Sequence, residues 1–113
     1  MSSTPPGFTL ETDEPEGDRV TIRAKGELDM AATPTLTQAI VGAAGTTRIH
    51  LDLSGVTFLD SSAIGALVAS GRDVAEKGSR LEIGARSDIV TRVLQITGLG
   101  ETSEAFDVLP GEA

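Results

Sequence analysis

A carboxylate and two hydroxyls, Asp60-Ser61-Ser62, stand directly in front of a run of apolar residues. An Asp in that position is a good helix N-cap, because its carboxylate accepts hydrogen bonds from the unpaired N–H groups of the first turn. Ser61 and Ser62 would then occupy the first helical positions, at the positive end of the helix dipole. A phosphate on one of them would meet backbone donors and a favourable dipole, yet it would also repel Asp60. The spacing therefore predicts a site at which an added charge acts as a switch.

The same serines also have an ordinary structural explanation. Serine is common in the first turn of helices because its side chain competes for backbone hydrogen bonds. Spacing alone favours this structural explanation and leaves the charge switch as the alternative. The two hydroxyls are expected to differ: Ser61 should project from the junction of loop and helix, and Ser62 should turn towards neighbouring elements.

The elements around this site follow from the periodicity of apolar residues. The segment from about Thr47 to Leu53 alternates apolar and polar residues as a strand does, and a short loop is expected between Leu53 and Asp60. After the serines, apolar residues recur at helical spacing until a natural stop at Gly78. The apolar face of this helix is expected to comprise Ile64, Leu67, Val68, Gly71 and Ala75.

Strands and helices alternate along the rest of the chain. A strand from Arg19 is expected to end at Gly26, and a helix with Thr33 as N-cap and Pro34 as first residue is expected to stop at Gly45. The alternation indicates an α/β fold with a mixed sheet of four to five strands, and the polar side of each strand indicates that the helices lie mainly on one face. We further expect strands at 8–12, 80–85 and 106–109, a helix from Ser87 or Asp88 to about Gly98, and one domain at 8–109 between tails at 1–7 and 110–113.

The composition narrows the classes of function. The 113 residues fit one domain, and a net charge of −8 with only three Phe as aromatic residues argues against direct DNA or RNA binding. The chain contains no cysteine, so disulfides and thiolate chemistry are excluded. The N-terminus lacks the features of a signal peptide, and no apolar run reaches the roughly 18 residues of a membrane span. We therefore expect a cytoplasmic protein.

Enzymatic and metal chemistry find no support in the spacing of residues. His50 is the only histidine and falls in the middle of a predicted strand, on the side away from Ile49 and Leu51, so a Ser–His–Asp triad with Ser61 is not expected. One histidine and scattered carboxylates show no metal-ligand spacing, and no glycine-rich phosphate loop is present. We predict no catalytic residue, no metal and no cofactor.

A second candidate surface lies at Gly26-Glu27-Leu28-Asp29. On its own this segment reads as an ordinary strand exit. If its strand is a parallel neighbour of the strand before Asp60, however, the two strand ends share one edge of the domain. A mixed acidic and apolar surface at that edge would suit a protein partner with basic residues.

These two segments together resemble a known family. Gly26-Glu27-Leu28-Asp29, followed some thirty positions later by Leu59-Asp60-Ser61-Ser62-Ala63-Ile64-Gly65, is similar to the paired motifs of the STAS-domain anti-sigma factor antagonists, or anti-anti-sigma factors. The segment Ile96-Thr97-Gly98-Leu99 is similar to the end of a late helix in that family. The resemblance covers roughly Phe8 to Val108.

The resemblance implies a partner-switching regulator that is not an enzyme. Unphosphorylated members bind an anti-sigma factor that is also a serine kinase of the GHKL type, and this binding frees the sigma factor. The kinase phosphorylates the serine directly after the Asp of the motif, here Ser61, and a phosphatase of the PP2C type restores it. On this basis the partner surface is expected to comprise Leu28, Asp29, Asp60, Ser62, Ala63 and Ile64.

The sequence departs from the family pattern at two places. Ala63 stands where the family usually has glycine, and its methyl group is expected to hinder a kinase at the helix N-terminus. The family often has a further helix at the C-terminus, for which Ala113 leaves little room. The alternative reading is a stand-alone STAS interaction module without phosphoregulation, and a small serine hydrolase ranks behind both.

Overall fold

Within residues 5–110, five strands form one mixed sheet in the order β1-β2-β3-β4-β5. A computed structural model describes residues 5–110, so the predicted tails fall partly outside the described residues. Strand β1 runs antiparallel to β2, and each later strand runs parallel to the one before it. The elements are β1 (Phe8–Thr12), β2 (Arg19–Leu28), α1 (Thr33–Gly42), β3 (Arg48–Leu59), α2 (Ser61–Glu76), β4 (Arg80–Arg86), α3 (Asp88–Ile96) and β5 (Asp107–Val108).

The three helices cover one face of this sheet. Each connects two parallel strands that are neighbours, and because such crossovers are right-handed, all three fall on the same side. The strand residues on that side are fully buried, whereas the opposite face carries charged and polar side chains such as Arg23 and His50. The predicted fold class is therefore confirmed. The sheet contributes Val20, Ile22, Ala24, Ile49, Leu51, Leu53, Leu81 and Ile83 to the core.

Two strands run further than the sequence pattern predicts. Gly26 does not end β2; it adopts a positive φ of 98° beside a register shift, and the strand continues through this bulge to Leu28. Strand β3 likewise continues past Leu53 to Leu59, so the short loop expected before Asp60 is wrong. Both register shifts insert one extra residue into β3, which breaks the alternation of β3 after Leu53, whereas β2 keeps its alternation as far as Leu28.

The helix boundaries differ from the predicted ones by one or a few residues. Thr33 is the first residue of α1 and not its N-cap, since Ala32 takes that position. Helix α1 ends at Gly42, three residues before the expected stop at Gly45. In α2 the buried face includes Val74 in place of Ala75, which is exposed.

Two glycines of α2 should respond in opposite ways to substitution by alanine. A methyl group on Gly71 would overlap the carbonyl oxygen of Ala105, whereas a methyl group on Gly65 would meet open space. We expect Gly71→Ala to lower the free energy of unfolding by about 1–3 kcal/mol through overpacking. Gly65→Ala should raise it by up to about 1 kcal/mol, because alanine is the better helix former. Urea denaturation measures both free energies of unfolding. If the two variants changed this free energy by the same amount, the close approach of α2 to the segment before β5 would be contradicted.

Candidate functional site

The two sequence motifs meet at one edge of the sheet. Leu28 pairs with Leu59 at the ends of the parallel strands β2 and β3, so Asp29 and Asp60 leave neighbouring strand ends together. The predicted juxtaposition of the two strand ends is therefore confirmed. This edge, with the first turn of α2, is called the serine edge below.

Asp60 organises the serine edge. It has an extended backbone conformation, and its Oδ1 accepts a hydrogen bond from the Ala63 N–H at 3.0 Å, as the predicted N-cap requires. The same oxygen accepts the Ser62 hydroxyl at 2.6 Å. The backbone N–H of Met30, from the segment after β2, also lowers the pKa of this carboxylate. Asp60 thus fixes the start of α2.

The two serines have different environments. Both are exposed, but the Ser62 hydroxyl turns back to Asp60 and does not reach a neighbouring element, so the predicted direction of Ser62 is wrong. Within residues 5–110 the Ser61 hydroxyl makes no hydrogen bond, and Ser61 projects as predicted. Of the two hydroxyls, the one on Ser61 is free to react.

Three of the six residues expected to contact a partner lie beneath the surface. Leu28 and Ala63 are 0% exposed and Ile64 is 7% exposed, so these side chains support the serine edge and offer no contact area. The Ala63 methyl group is buried in the core and does not lie on the surface that a kinase would approach. Asp29 is half-buried, and its carboxylate accepts the N–H groups of Ala31 and Ala32 at 3.1 and 3.0 Å.

Two exposed apolar side chains at this edge were not predicted. Met30 is 73% exposed directly after Asp29, and Phe58 is 47% exposed two residues before Asp60. Phe58 lies opposite Glu27 on the open face, because a bulge precedes it and Leu59 points inward. The signal available in the sequence was the type of residue: Phe58 is one of only three aromatic residues.

The pKa of the Asp60 carboxyl group is lowered, mainly by Ser62. The hydrogen bond from the Ser62 hydroxyl is the main cause that holds the pKa of Asp60 below its ordinary value, and the Ala63 N–H acts in the same direction. Since the pKa in the folded state is the lower one, the cap stabilises the domain above about pH 4. This contribution is lost as the pH falls through the lowered pKa.

Removing the Ser62 hydroxyl should therefore raise the pKa of Asp60 towards the ordinary value of an aspartate. We expect this rise in Ser62→Ala and no comparable change in Ser61→Ala, whose hydroxyl does not touch the carboxylate. An NMR titration of the Asp60 carboxyl carbon measures both variants. A shift of equal size in the two would contradict the assigned hydrogen bond.

His50 takes no part in the serine edge. Its Nδ1 lies 2.6 Å from Oε2 of Glu82 on the open face of the sheet. The nine residues of β3 after His50, at about 3.3 Å each, separate it from Leu59 by roughly 30 Å. A hydrolytic triad of His50 with Ser61 is thereby excluded.

Among the residues that the structure describes, no group of three or more His, Asp and Glu side chains is placed to hold a metal ion. None of the helices in this part of the chain is long and apolar enough to cross a membrane.

Comparisons with known proteins agree on one family. A family model described as "Mlab, STAS domain" matches residues 12–110. The anti-sigma-B factor antagonist of Listeria monocytogenes is 26% identical over 103 residues, which cover 89% of this chain and 90% of that protein. The anti-sigma-B factor antagonist of Staphylococcus epidermidis is 30% identical over 80 residues, which cover 69% of this chain and 74% of that protein.

Solved structures agree with these relatives. The crystal structure of an anti-sigma factor antagonist from Mycobacterium paratuberculosis superposes with a TM-score of 0.75 at 26% identity, over 96% of this chain and 91% of that one. The antagonist SpoIIAA in its unphosphorylated form superposes with a TM-score of 0.71 at 25% identity, over 90% of this chain and 89% of that one. A structure of the Bacillus SpoIIAA in the phosphorylated form is also similar. The chain therefore belongs to the STAS-domain family of anti-sigma factor antagonists, as its paired motifs indicated.

Proposed function

We propose that the unphosphorylated chain binds an anti-sigma factor through the serine edge and so releases a sigma factor, and that phosphorylation of Ser61 ends this binding. The partner in this proposal is an anti-sigma factor with a serine kinase domain of the GHKL type, and a phosphatase of the PP2C type removes the phosphate. The observation that carries the proposal is the free hydroxyl of Ser61 at the start of α2, directly after Asp60.

The geometry of Ser61 suits a kinase substrate. Ser61 is exposed and its hydroxyl is free, whereas the Ser62 hydroxyl donates to Asp60 and would have to break that bond before reacting. The similar protein SpoIIAA exists in phosphorylated and unphosphorylated forms, which supports a modification on this fold. Ser61 is accordingly the modified residue in this proposal.

The exposed apolar residues supply the binding energy in this proposal. Met30 and Phe58 flank Asp60 and remain open to solvent at 73% and 47%. Exposed apolar side chains among charges are typical anchors of protein interfaces, and a few such residues carry most of the affinity. The partner contacts are therefore assigned to Met30, Phe58, Asp60 and Ser62, and Ser61 is the modified residue among them.

A binding experiment with two nucleotides tests the proposal. The chain is titrated by calorimetry into a GHKL-type anti-sigma factor from its own source organism, first with ADP and then with ATP. We expect a complex with ADP, and with ATP a mass increase of about 80 Da, one phosphoryl group, on the peptide that contains Ser61. Binding without any mass increase, by a kinase active on another substrate, would favour the interaction module without phosphoregulation.

Substitution of the apolar anchors tests the location of the surface. Met30→Ala and Phe58→Ala should each weaken the complex about 10- to 100-fold, as loss of an interface anchor commonly does. Ile96→Ala is the matched control, because Ile96 is 75% exposed at the far end of α3. Equal losses of affinity in all three variants would place the interface elsewhere.

A further inference from the structure

Three arginines lie side by side at the N-terminal ends of the parallel strands, on the open face of the sheet. Arg19 pairs with Arg48 across β2 and β3, and Arg48 pairs with Arg80 across β3 and β4. Like charges directly opposite each other destabilise a sheet. The stability of the sheet therefore does not explain why three arginines lie next to each other. These three residues are called the arginine row.

Two carboxylates hold the arginine row together without neutralising it. Glu82, 1% exposed, accepts a hydrogen bond from Nη1 of Arg48 at 3.0 Å and lies 3.3 Å from Nη2 of Arg19. Asp107 binds Nη2 of Arg80 at 2.7 Å. The side chains of Arg19 and Arg48 remain 50% and 46% exposed, so N–H donors are left for an acceptor from outside.

An acidic loop adjoins the arginine row. The connection between β1 and β2, residues 13–18, carries four carboxylates and leads directly into Arg19. Asp13 pairs with Arg23 at 2.6 Å. Within the described part of the chain the other three acids form no ion pair, and all three are exposed. These three are Glu14, Glu16 and Asp18.

We propose that this face binds a second copy of the chain, with the acidic loop of each copy against the arginine row of the other. A surface with an acidic and a basic patch side by side is complementary to itself under two-fold symmetry. In this arrangement the open faces of the two sheets face each other, and the two-fold axis runs between them, parallel to the strands and near Arg19. The acidic loop of each copy then meets the arginine row of the other. Each copy supplies both a basic row and an acidic loop, so two copies form two such contacts at once where an acidic segment from elsewhere would form one, and charge complementarity favours the second copy.

This interface leaves the serine edge accessible. The arginine row lies at the N-terminal ends of β2, β3 and β4, whereas Ser61 follows the C-terminal end of the twelve-residue strand β3. The dimer would therefore present two serine edges at once, both at the end of the strands opposite to the arginine rows; Phe58 lies on the shared open face, but at that far end. The proposal does not depend on phosphorylation of Ser61 or on the anti-sigma factor.

A charge-swap experiment tests the dimer. Sedimentation equilibrium is run over a dilution series in about 0.15 M salt, which screens the repulsion between two acidic chains beyond about 8 Å. The variants are Arg19→Glu, which reverses the row, and the double variant Glu14→Arg, Glu16→Arg, which reverses the loop. A double variant at the exposed acids outside this face, Glu76→Arg, Glu101→Arg, changes the net charge by the same amount as the loop variant and serves as its control.

The wild type and the control should reach twice 11.6 kDa. Each swapped variant alone should dimerise about 100-fold more weakly, because in a two-fold symmetric dimer one substitution disrupts two equivalent contacts. An equimolar mixture of the two swapped variants should recover the dimer, since opposite charges then face each other again. A monomeric wild type, swapped variants that still dimerise, or a mixture of folded variants that stays monomeric would each overturn the proposal. Should Arg19→Glu fail to fold by circular dichroism, Arg19→Ser takes its place and should still weaken the dimer.

Discussion

Ser61→Asp is expected to weaken the complex with the anti-sigma factor about 100- to 1,000-fold, and a phosphate on Ser61 should weaken it at least as much. The added carboxylate would stand beside Asp60 at the edge that the partner must cover. Two like charges about 4 Å apart repel by roughly 1 kcal/mol in water and about 4 kcal/mol at an effective dielectric of 20. Partial loss of water in the interface therefore turns a tolerable charge in the free protein into a repulsion of a few kcal/mol in the complex.

The free protein itself should not be harmed by this substitution. Ser61 is the first residue of α2 and is exposed, so a negative charge there interacts favourably with the helix dipole. The melting temperature of Ser61→Asp should consequently equal or slightly exceed that of the wild type. If Ser61→Asp loses binding but keeps its melting temperature, the loss comes from the added charge and not from unfolding.

Two further variants separate charge from size at this position. Ser61→Ala should bind as well as the wild type, since the free hydroxyl makes no bond within residues 5–110. Ser61→Asn has nearly the shape of Ser61→Asp without its charge and should retain most of the affinity. Calorimetric titration of the three variants against the same anti-sigma factor gives the comparison. Equal affinity for Ser61→Asp and Ser61→Ala would contradict electrostatic control at Ser61.

Local patterns in the sequence were sufficient to predict the order of elements. The alternation of Val20, Ile22 and Ala24 and the cap at Asp60 are properties of short segments, and both appear in the structure as predicted. The bulges were not predictable in this way, because the register of β2 depends on how β1 and β3 pair with it. Gly26 therefore looked like the end of a strand while it lies inside one.

The residues of the serine edge were only partly predictable for the same reason. Motifs located the edge, but exposure within a motif depends on which way each side chain faces after folding. Leu28 and Ala63 are buried by α1 and α2 packing on the sheet, and Met30 is exposed because no element covers the turn before α1. The pairing of Glu82 with Arg48 joins residues 34 positions apart and has no local signal.

Substitution of Gly26 by alanine is expected to be the most damaging single change in the motif at the end of β2. A methyl group on Gly26 would overlap the carbonyl oxygen of Gly7, and the backbone φ of 98° is unfavourable for any residue with a Cβ atom. The strained φ costs about 1–2 kcal/mol and the overlap about 1–3 kcal/mol more. The melting temperature should fall by about 10–20 °C in a domain of this size.

The overlap at Gly26 cannot be relieved by moving a flexible side chain. The obstructing atoms belong to the backbone of Gly7 and Phe8, and the Gly7 carbonyl accepts the N–H of Glu27 at 2.9 Å. Gly17→Ala is the matched control, since Gly17 also has a positive φ, of 62°, but a methyl group there meets open space. Thermal denaturation of Gly17→Ala should show only the cost of the strained φ. If Gly26→Ala melted no lower than Gly17→Ala, the close approach of β1 to β2 would contribute nothing to stability. A larger loss in Gly26→Ala would show that the close approach of the β1 backbone requires glycine at this position.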